Sequence, residues 1–296
     1  MFTLAHISDI HLSPMPEVGF RDLLGKRLTG YLNWKLKRHG EMNTETLARL
    51  VAHMREQNAD FTAVTGDLTN LALDSEVERA GRWLRELGGA NKTAVCPGNH
   101  DAYVPGALDY AQEQWGDYLK GETVEGQAFP FVRRVGEVAI ISCSSAVPTP
   151  PFFAIGRFEE KQAARLKRIL KLLGDAGYFR VVLIHHPPNA ELQHPSFGLK
   201  GHRIFRRVIT EEGAELILHG HTHRSSIHHI AGKTHEVPVI GVAAASAAQG
   251  GTLDDPARYN LFRIEKSGEE WRCTMREYGF QRLGADIVMR MQMRIY

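Results

Sequence analysis

The sequence predicts an α/β fold with two β-sheets. Three observations point there. Short apolar runs alternate with amphipathic, helix-spaced segments as far as about residue 220. The apolar runs stop at polar turns: Asp9-Ile10-His11, Gly66-Asp67, Gly98-Asn99-His100-Asp101, His185-His186 and Gly220-His221-Thr222-His223. Beyond Thr234 consecutive strands follow without intervening helices, which argues for a second, antiparallel sheet packed on the first.

Taken in order, residues 4–8 are an apolar run ending at Asp9, the first strand. Pro14, Pro16 and Gly19 mark a loop, and residues 22–37 then form a basic amphipathic stretch with Leu23, Leu24, Leu28, Leu32 and Leu36 at near-helical spacing. Asn43-Thr44 opens a helix whose buried face is Leu47, Leu50, Val51 and Met54. Residues 60–65 are the second strand, residues 76–87 a helix stopped by Gly88-Gly89, and the third strand, within residues 91–97, ends at Gly98. A helix over about 107–119 precedes a strand at 137–144 and the rigid loop 147–151, which carries three prolines. Helices at 159–173 and 202–212 enclose a strand at 180–184, and another strand follows at 214–218. Residues 234–247, 259–265 and 271–278 read as the late strands. The tail 279–296 has no assignment, and its apolar part, 287–296, suits contact with a neighbour. The expectation is one domain over 1–296, with an insert at about 14–40 and a strand-rich part at about 234–280.

Composition excludes several classes. Apolar residues make up 43% and charged residues 24% of 296, as in ordinary globular chains. The formal charge of +2 gives no global attraction to nucleic acid. Cys96, Cys143 and Cys273 are well separated and lack CxxC spacing, which argues against a disulfide framework or thiolate zinc knuckle and suits a reducing, cytoplasmic setting. The start of the chain is too short and polar for a secretory apolar core, and no apolar run is long enough to span a bilayer.

In open α/β sheets, ligands gather beyond the carboxyl ends of the strands, where all five polar turns fall. Their Asp, His and Asn side chains are oxygen and imidazole donors without thiolate, suited to Mn, Fe, Zn or Co. Seven such residues exceed the shell of one catalytic zinc; with one carboxylate bridging, they supply four bonds to each of two ions. A carboxylate suits the bridge because it has two oxygens to share. A pair of cations lowers the pKa of bound water and stabilises the entering and leaving oxygens of an in-line displacement.

The motifs Asp9-Ile10-His11, Gly66-Asp67, Gly98-Asn99-His100-Asp101, His185 and Gly220-His221-Thr222-His223 resemble, in order, those of the calcineurin-like metallophosphoesterase superfamily. The resemblance implies a four-layer α/β/β/α sandwich with two central mixed sheets, of metallo-dependent phosphatase type, and a dinuclear centre. It implies Asp9, His11, Asp67 and His223 on one ion and Asp67, Asn99, His185 and His221 on the other, with His100 beside the substrate and off the metals. The family's His-Pro-Pro pattern puts the ligand at His185, so His186 lies behind it or against substrate. Asp101 or Asn70 would orient His100, or Asp101 would cap the following turn. His6, His219 and the His228-His229 pair read as structural or solvated.

Protein serine/threonine phosphatases of the superfamily carry Gly-Asp-x-x-Asp-Arg-Gly; here Gly66-Asp67-Leu68-Thr69-Asn70-Leu71 lacks the second Asp and the Arg. Gly-Asp-Leu-Thr and His-His-Pro-Pro look like class III cyclic-nucleotide phosphodiesterases and related bacterial enzymes. The resemblance thus implies phosphodiester hydrolysis by a metal-bound hydroxide, with His100 assisting the leaving oxygen and a cyclic nucleotide or small or lipid-headgroup diester as substrate. The alternatives are a phosphomonoesterase, a nucleotide-sugar-lipid pyrophosphatase at the membrane surface, and an inactive scaffold.

Arg21, Lys26, Arg27, Lys35, Lys37 and Arg38 crowd the insert among Leu residues, Tyr31 and Trp34. Three readings stand: a solvated helix packed on the domain, a substrate-facing wall, and peripheral contact with anionic lipid through residues 21–38.

Overall fold

The computed structural model describes residues 1–23, 25–38, 42–248, 255–268, 270–281 and 285–296; for Phe20, Arg21, Lys37 and Arg38 it describes the backbone alone. The strands are β1 (Phe2–Ile7), β2 (Phe61–Val64), β3 (Thr93–Val95), β4 (Glu122–Thr123), β5 (Phe131–Val135), β6 (Val138–Ser142), β7 (Gly156–Arg157), β8 (Phe179–Leu183), β9 (Leu199–Lys200), β10 (Leu216–His219), β11 (Ser226–Ala231), β12 (Glu236–Gly241), β13 (Arg258–Ser267), β14 (Glu270–Phe280) and β15 (Ile287–Arg294). The helices are α1 (Lys26–Asn33), α2 (Thr44–Glu56), α3 (Asp74–Leu87), α4 (Ala107–Trp115), α5 (Glu160–Asp175) and α6 (His202–Glu212).

Two mixed sheets form the centre, with strand orders β15-β14-β13-β1-β2-β3 and β11-β12-β10-β8-β6-β5-β4. Strand alternation builds the layers. In the second sheet Val138, Ile140, Val181, Leu183, Leu216 and Leu218 join the core shared with the first sheet. Their neighbours Ala139, Ile141, Val182 and Ile217 join a separate core with α5 and α6, through Leu166, Ile169, Leu170, Phe205 and Val208. Leu47, Leu50 and Met54 of α2 and Val77, Ala80 and Leu84 of α3 cover the first sheet. The result is the expected α/β/β/α sandwich of metallo-dependent phosphatase type. Each fully buried Leu, Ile or Phe stabilises it by about 1.5–3 kcal/mol.

The late strands depart from the expectation of a sheet of their own. β12 runs parallel to β10 inside the second sheet. β13 pairs antiparallel with β1, and β14 and β15 extend the first sheet from there. The periodicity read locally was that of strands; the partner was a non-local choice. The tail is β15, and Ile287, Met291, Met293, Ile295 and Tyr296 pack on this chain's own core. Besides the two-residue strands β4, β7 and β9, two strands went unread, β5 and β11, each an arm of a hairpin and only partly buried.

The stretch over 22–37 is not one helix. A 3₁₀ turn, Phe20–Leu23, precedes α1, and α1 runs on into a π-helical turn, Trp34–Arg38. Gly25, at φ 68°, stands at the break. Leu24 lies outside the described residues.

Candidate metal centre

Five parallel strands deliver the polar turns to one edge of the sandwich: β1, β2 and β3 from one sheet, β8 and β10 from the other. The turns after β1 and β2 are zipped together, with the N–H of Asp9 donating to the Gly66 carbonyl at 3.0 Å and that of His11 to the Asp67 carbonyl at 2.9 Å. Asp9, His11, Asp67, His221 and His223 all adopt left-handed backbone, with φ of 51°, 39°, 54°, 70° and 54°. Such residues cost about 1–3 kcal/mol each and persist where the surroundings over-determine them.

The candidate ligands converge in three overlapping groups: Asp9, His11 and His223; His11, Asp67 and His100; Asp67, His185 and His221. Within each group the donor atoms lie within 4.8 Å of one another. Asp67 Oδ2 is 3.3 Å from His185 Nε2 and 3.8 Å from His11 Nε2. Asn99 Oδ1 is 3.2 Å from His185 Nε2. Asp9 Oδ1 is 3.4 Å from His223 Nε2.

Three of the candidate ligand imidazoles are aimed by the bond at the other nitrogen. A carbonyl only accepts, so His11 Nδ1 donates to Thr69 (3.0 Å), His185 Nδ1 to Thr65 (2.6 Å) and His221 Nε2 to Phe197 (2.8 Å). The opposite nitrogens, Nε2 of His11 and His185 and Nδ1 of His221, carry the lone pairs when neutral. His100 follows the same logic: Nδ1 donates to the Asn70 carbonyl at 2.5 Å and sets Nε2 as the reactive nitrogen. Tyr103 stacks on its ring, with centroids 5.5 Å apart.

Electrostatics follow from burial. Asp9 and Asp67 are buried, and imidazoles answer their charge. Burial opposes ionisation of Asp67, but His185 and His100 outweigh it and hold its carboxyl well below the usual range. Burial likewise opposes charge on His185; Asp67 and Asp9 overcome it and push the imidazole up to about 9. Burial, then the His185 charge, drives His221 down to about 3. His6 and His219 are neutral core residues, lowered by burial to about 3 and 4 and bonded to Thr65 Oγ1 and the Gly220 carbonyl.

The structure adds detail at four positions. Asp67 Oδ1 accepts the His100 N–H at 2.7 Å, and Oδ2 faces His11 and His185. Asp101 neither orients the His100 ring nor acts as a simple turn cap. Its carboxylate accepts the N–H groups of Gly98, Asp67 and Leu68 at 2.9 Å and of Thr69 at 3.1 Å, lacing two ligand loops together. Burial, then the Asp67 charge, pushes the Asp101 carboxyl up to about 7 against the pull of those N–H groups. Asn70 orients His100 through its carbonyl, while its side-chain amide donates to the Leu12 carbonyl at 3.3 Å. His186 lies behind the candidate ligands: Ser145 Oγ donates to Nδ1 at 2.8 Å and Nε2 donates to the Ala154 carbonyl at 3.1 Å. Its ring backs His221, with centroids 4.3 Å apart.

Close approach explains two glycines. A Cβ on Gly98 would lie 2.1 Å from Asp67 Oδ1, and one on Gly220 2.5 Å from Asp9 Oδ2. Sequence reasoning missed Tyr103 and Glu76. Glu76, in the first turn of α3, accepts the N–H groups of Asn70 and Leu71 at 2.9 Å and Leu73 at 3.1 Å, so it sets the loop whose carbonyl holds His100. An acid in a helix's first turn was the available signal. Glu76→Ala leaves three buried donors unanswered and is expected to cost about 2–4 kcal/mol, read by urea denaturation.

The donor set fits two ions. It has two buried carboxylates, one amide oxygen and four imidazoles already turned inward, and no thiolate. Beside it opens a cavity of about 310 Å³ bounded by Asn99, His100, Tyr103, Lys26, Phe153 and Phe197, among others. Lys26 bonds Thr149 Oγ1 at 2.6 Å and lies 4.2 Å from the Tyr103 ring; burial lowers it to about 8. The insert therefore forms one wall of the cavity.

A metallo-dependent phosphatase sandwich with this cluster at its strand ends defines a class of dinuclear metal-binding proteins. A family profile for calcineurin-like phosphoesterases matches residues 2–225, and the chain belongs to that family. Solved structures agree on the fold. A dimetal phosphatase from Danio rerio superposes with TM-score 0.65 at 12% identity, covering 97% of this chain and 98% of that one. A purple acid phosphatase from yellow lupin seeds gives 0.54 at 10% identity, covering 94% of this chain and 51% of that one. A 5'-nucleotidase precursor from Thermus thermophilus gives 0.50 at 15% identity, covering 99% and 53%. No curated protein sequence matches the chain.

Proposed function

We propose that the protein is a dinuclear metal-dependent phosphodiesterase. The observation that carries this is the overlap of three donor groups on His11 and Asp67 beside His100. Asp9, His11, Asp67 and His223 would hold one ion, and Asp67, Asn99, His185 and His221 the other. When bound, the two ions acidify water and offset the charge that builds on the phosphoryl oxygens. His100, fixed through Nδ1, hydrogen-bonds the departing oxygen from Nε2 and returns a proton to it. Lys26 contributes one ammonium to the cavity, and Tyr103 keeps the His100 ring flat against its wall.

Diester is favoured over monoester by the cavity. Lys26 is the one Lys or Arg among its described lining residues, and Phe152, Phe153, Phe197, Tyr103 and Trp34 supply apolar walls. One cation suits a monoanion, and aromatic walls suit a second organic substituent. The Gly66-Asp67-Leu68-Thr69 and His185-His186-Pro187-Pro188 motifs agree with the class III phosphodiesterase resemblance.

The test compares bis(p-nitrophenyl) phosphate with p-nitrophenyl phosphate after chelation and manganese reconstitution. Chelated protein should be inactive, and manganese should restore diester turnover that exceeds monoester turnover by about tenfold, a difference of ~1.4 kcal/mol. No turnover of either ester after reconstitution would favour an inactive scaffold.

A further inference from the structure

Helix α1 is built inside out. None of its residues is buried. Its inner face is held by polar clasps and a close approach rather than by leucines. Arg27 Nε donates to the Leu71 carbonyl at 3.1 Å, Lys26 reaches Thr149 and the Phe153 carbonyl, and Gly30 lies against Tyr103. Leu28, Leu32 and Leu36 recur every fourth residue and are exposed, Leu36 by 82%. Successive four-residue steps drift forward around an α-helix. The wider π-helical turn at Trp34–Arg38 turns less per residue, so Leu36 comes back into line with Leu28 and Leu32.

The exposed apolar surface is concentrated here. Nine large apolar side chains are exposed among the described residues, and six of them are Leu28, Leu32, Leu36, Phe152, Phe153 and Phe197. The three phenylalanines line the cavity together with Lys26, Thr29, Gly30 and Asn33 of α1, the helix whose other side carries the leucine stripe. Phe152 stands 87% exposed at the tip of its loop. Scattered exposed leucines need no account, but a leucine stripe on one helix within a basic stretch of sequence does. Residues 20–38 contain six basic residues and one acidic residue, whereas the whole chain carries only +2. Lys35 is exposed beside the leucine stripe.

We propose that this face docks on an anionic lipid bilayer. Leu28, Leu32, Leu36 and the Phe rim enter the headgroup boundary, and the basic positions meet lipid phosphates. No helix among the described residues is long and apolar enough to cross a membrane, so the attachment is peripheral. The charge asymmetry selects a lipid surface over a second copy of this chain: two copies meeting at this face would oppose like charge. The cavity mouth then lies against headgroups, and the substrate class becomes a lipid-borne phosphodiester; that last step rests on the hydrolase reading above.

The test is vesicle sedimentation of the full chain. With equimolar phosphatidylcholine and phosphatidylglycerol at low salt, wild type should pellet; with phosphatidylcholine alone, or at high salt, it should pellet far less. The triple variant Leu28→Gln, Leu32→Gln, Leu36→Gln should lower the partition coefficient by about tenfold or more. Lys35→Glu should weaken binding to the anionic vesicles only. The triple variant should hydrolyse soluble bis(p-nitrophenyl) phosphate at the wild-type rate, because these leucines lie outside the cavity. Wild type that stays in the supernatant with anionic vesicles at low salt, or a triple variant that pellets like wild type, overturns the proposal. Self-association that the triple substitution abolishes, without pelleting, overturns it too and makes a second copy the occupant. Pelleting needs no turnover, so failure of the hydrolase reading would leave a different signature: lipid binding intact and no ester cleaved.

Discussion

Asp67→Ala should strip both metals from the protein and abolish turnover, while His100→Ala should keep both metals and lose about 10²–10⁴ in rate. The contrast follows from geometry. Asp67 Oδ2 is the atom that faces His11 and His185 together, so removing it opens both ion sites at once. It also leaves four inward imidazoles with one fewer buried negative charge, which raises the cost of any cation there. His100 meets Asp67 through its main-chain N–H, which an alanine retains. Metal content after gel filtration, together with turnover of bis(p-nitrophenyl) phosphate, reads both quantities. The comparison is demanding, because the His100 ring lies within ligand distance of His11 and Asp67. Equal metal loss in the two variants would make His100 a ligand and remove its role at the leaving group.

Asp101→Ala should be nearly as damaging while touching no ion. Its carboxylate answers four buried main-chain N–H groups from the loops after β2 and β3. Removing it leaves those donors in a region closed to water, at an expected cost of about 3–5 kcal/mol. The loops it laces carry Asp67 and Asn99, so metal affinity should fall with stability. Asp101→Asn keeps the shape but turns one acceptor into a donor facing N–H groups, and should lie between alanine and wild type. Urea denaturation with and without added manganese separates the two effects. An Asp101→Ala protein with wild-type stability and full metal content would show that the loops hold without their lacing.

The strand and helix pattern was legible because it is local. The helix at His202–Glu212 and the strand cores at β1, β2, β6, β8 and β10 follow from periodicity and from what ends each run. The β5 and β11 hairpin arms were not legible, since half-exposed strands carry a weak apolar signal. The candidate ligands were legible as types at strand ends. Their supports were not: the Asn70, Thr65, Thr69 and Phe197 contributions are carbonyl oxygens, which every residue has. The Leu28, Leu32 and Leu36 stripe was legible as amphipathic, but its periodicity is the same whether the leucines face a core or the solvent.

By itself the sequence determined the α/β alternation, the donor residue types, their order along the chain and the membership of the family that this order implies, because each depends on neighbours a few positions away. Only the tertiary structure decided which sheet received β12 and which received β13 to β15, which oxygen of Asp67 faces both sides, what Asp101 binds, and that α1 turns its leucines outward. Those outcomes rest on contacts between segments tens to hundreds of residues apart, whose free energies no local pattern records.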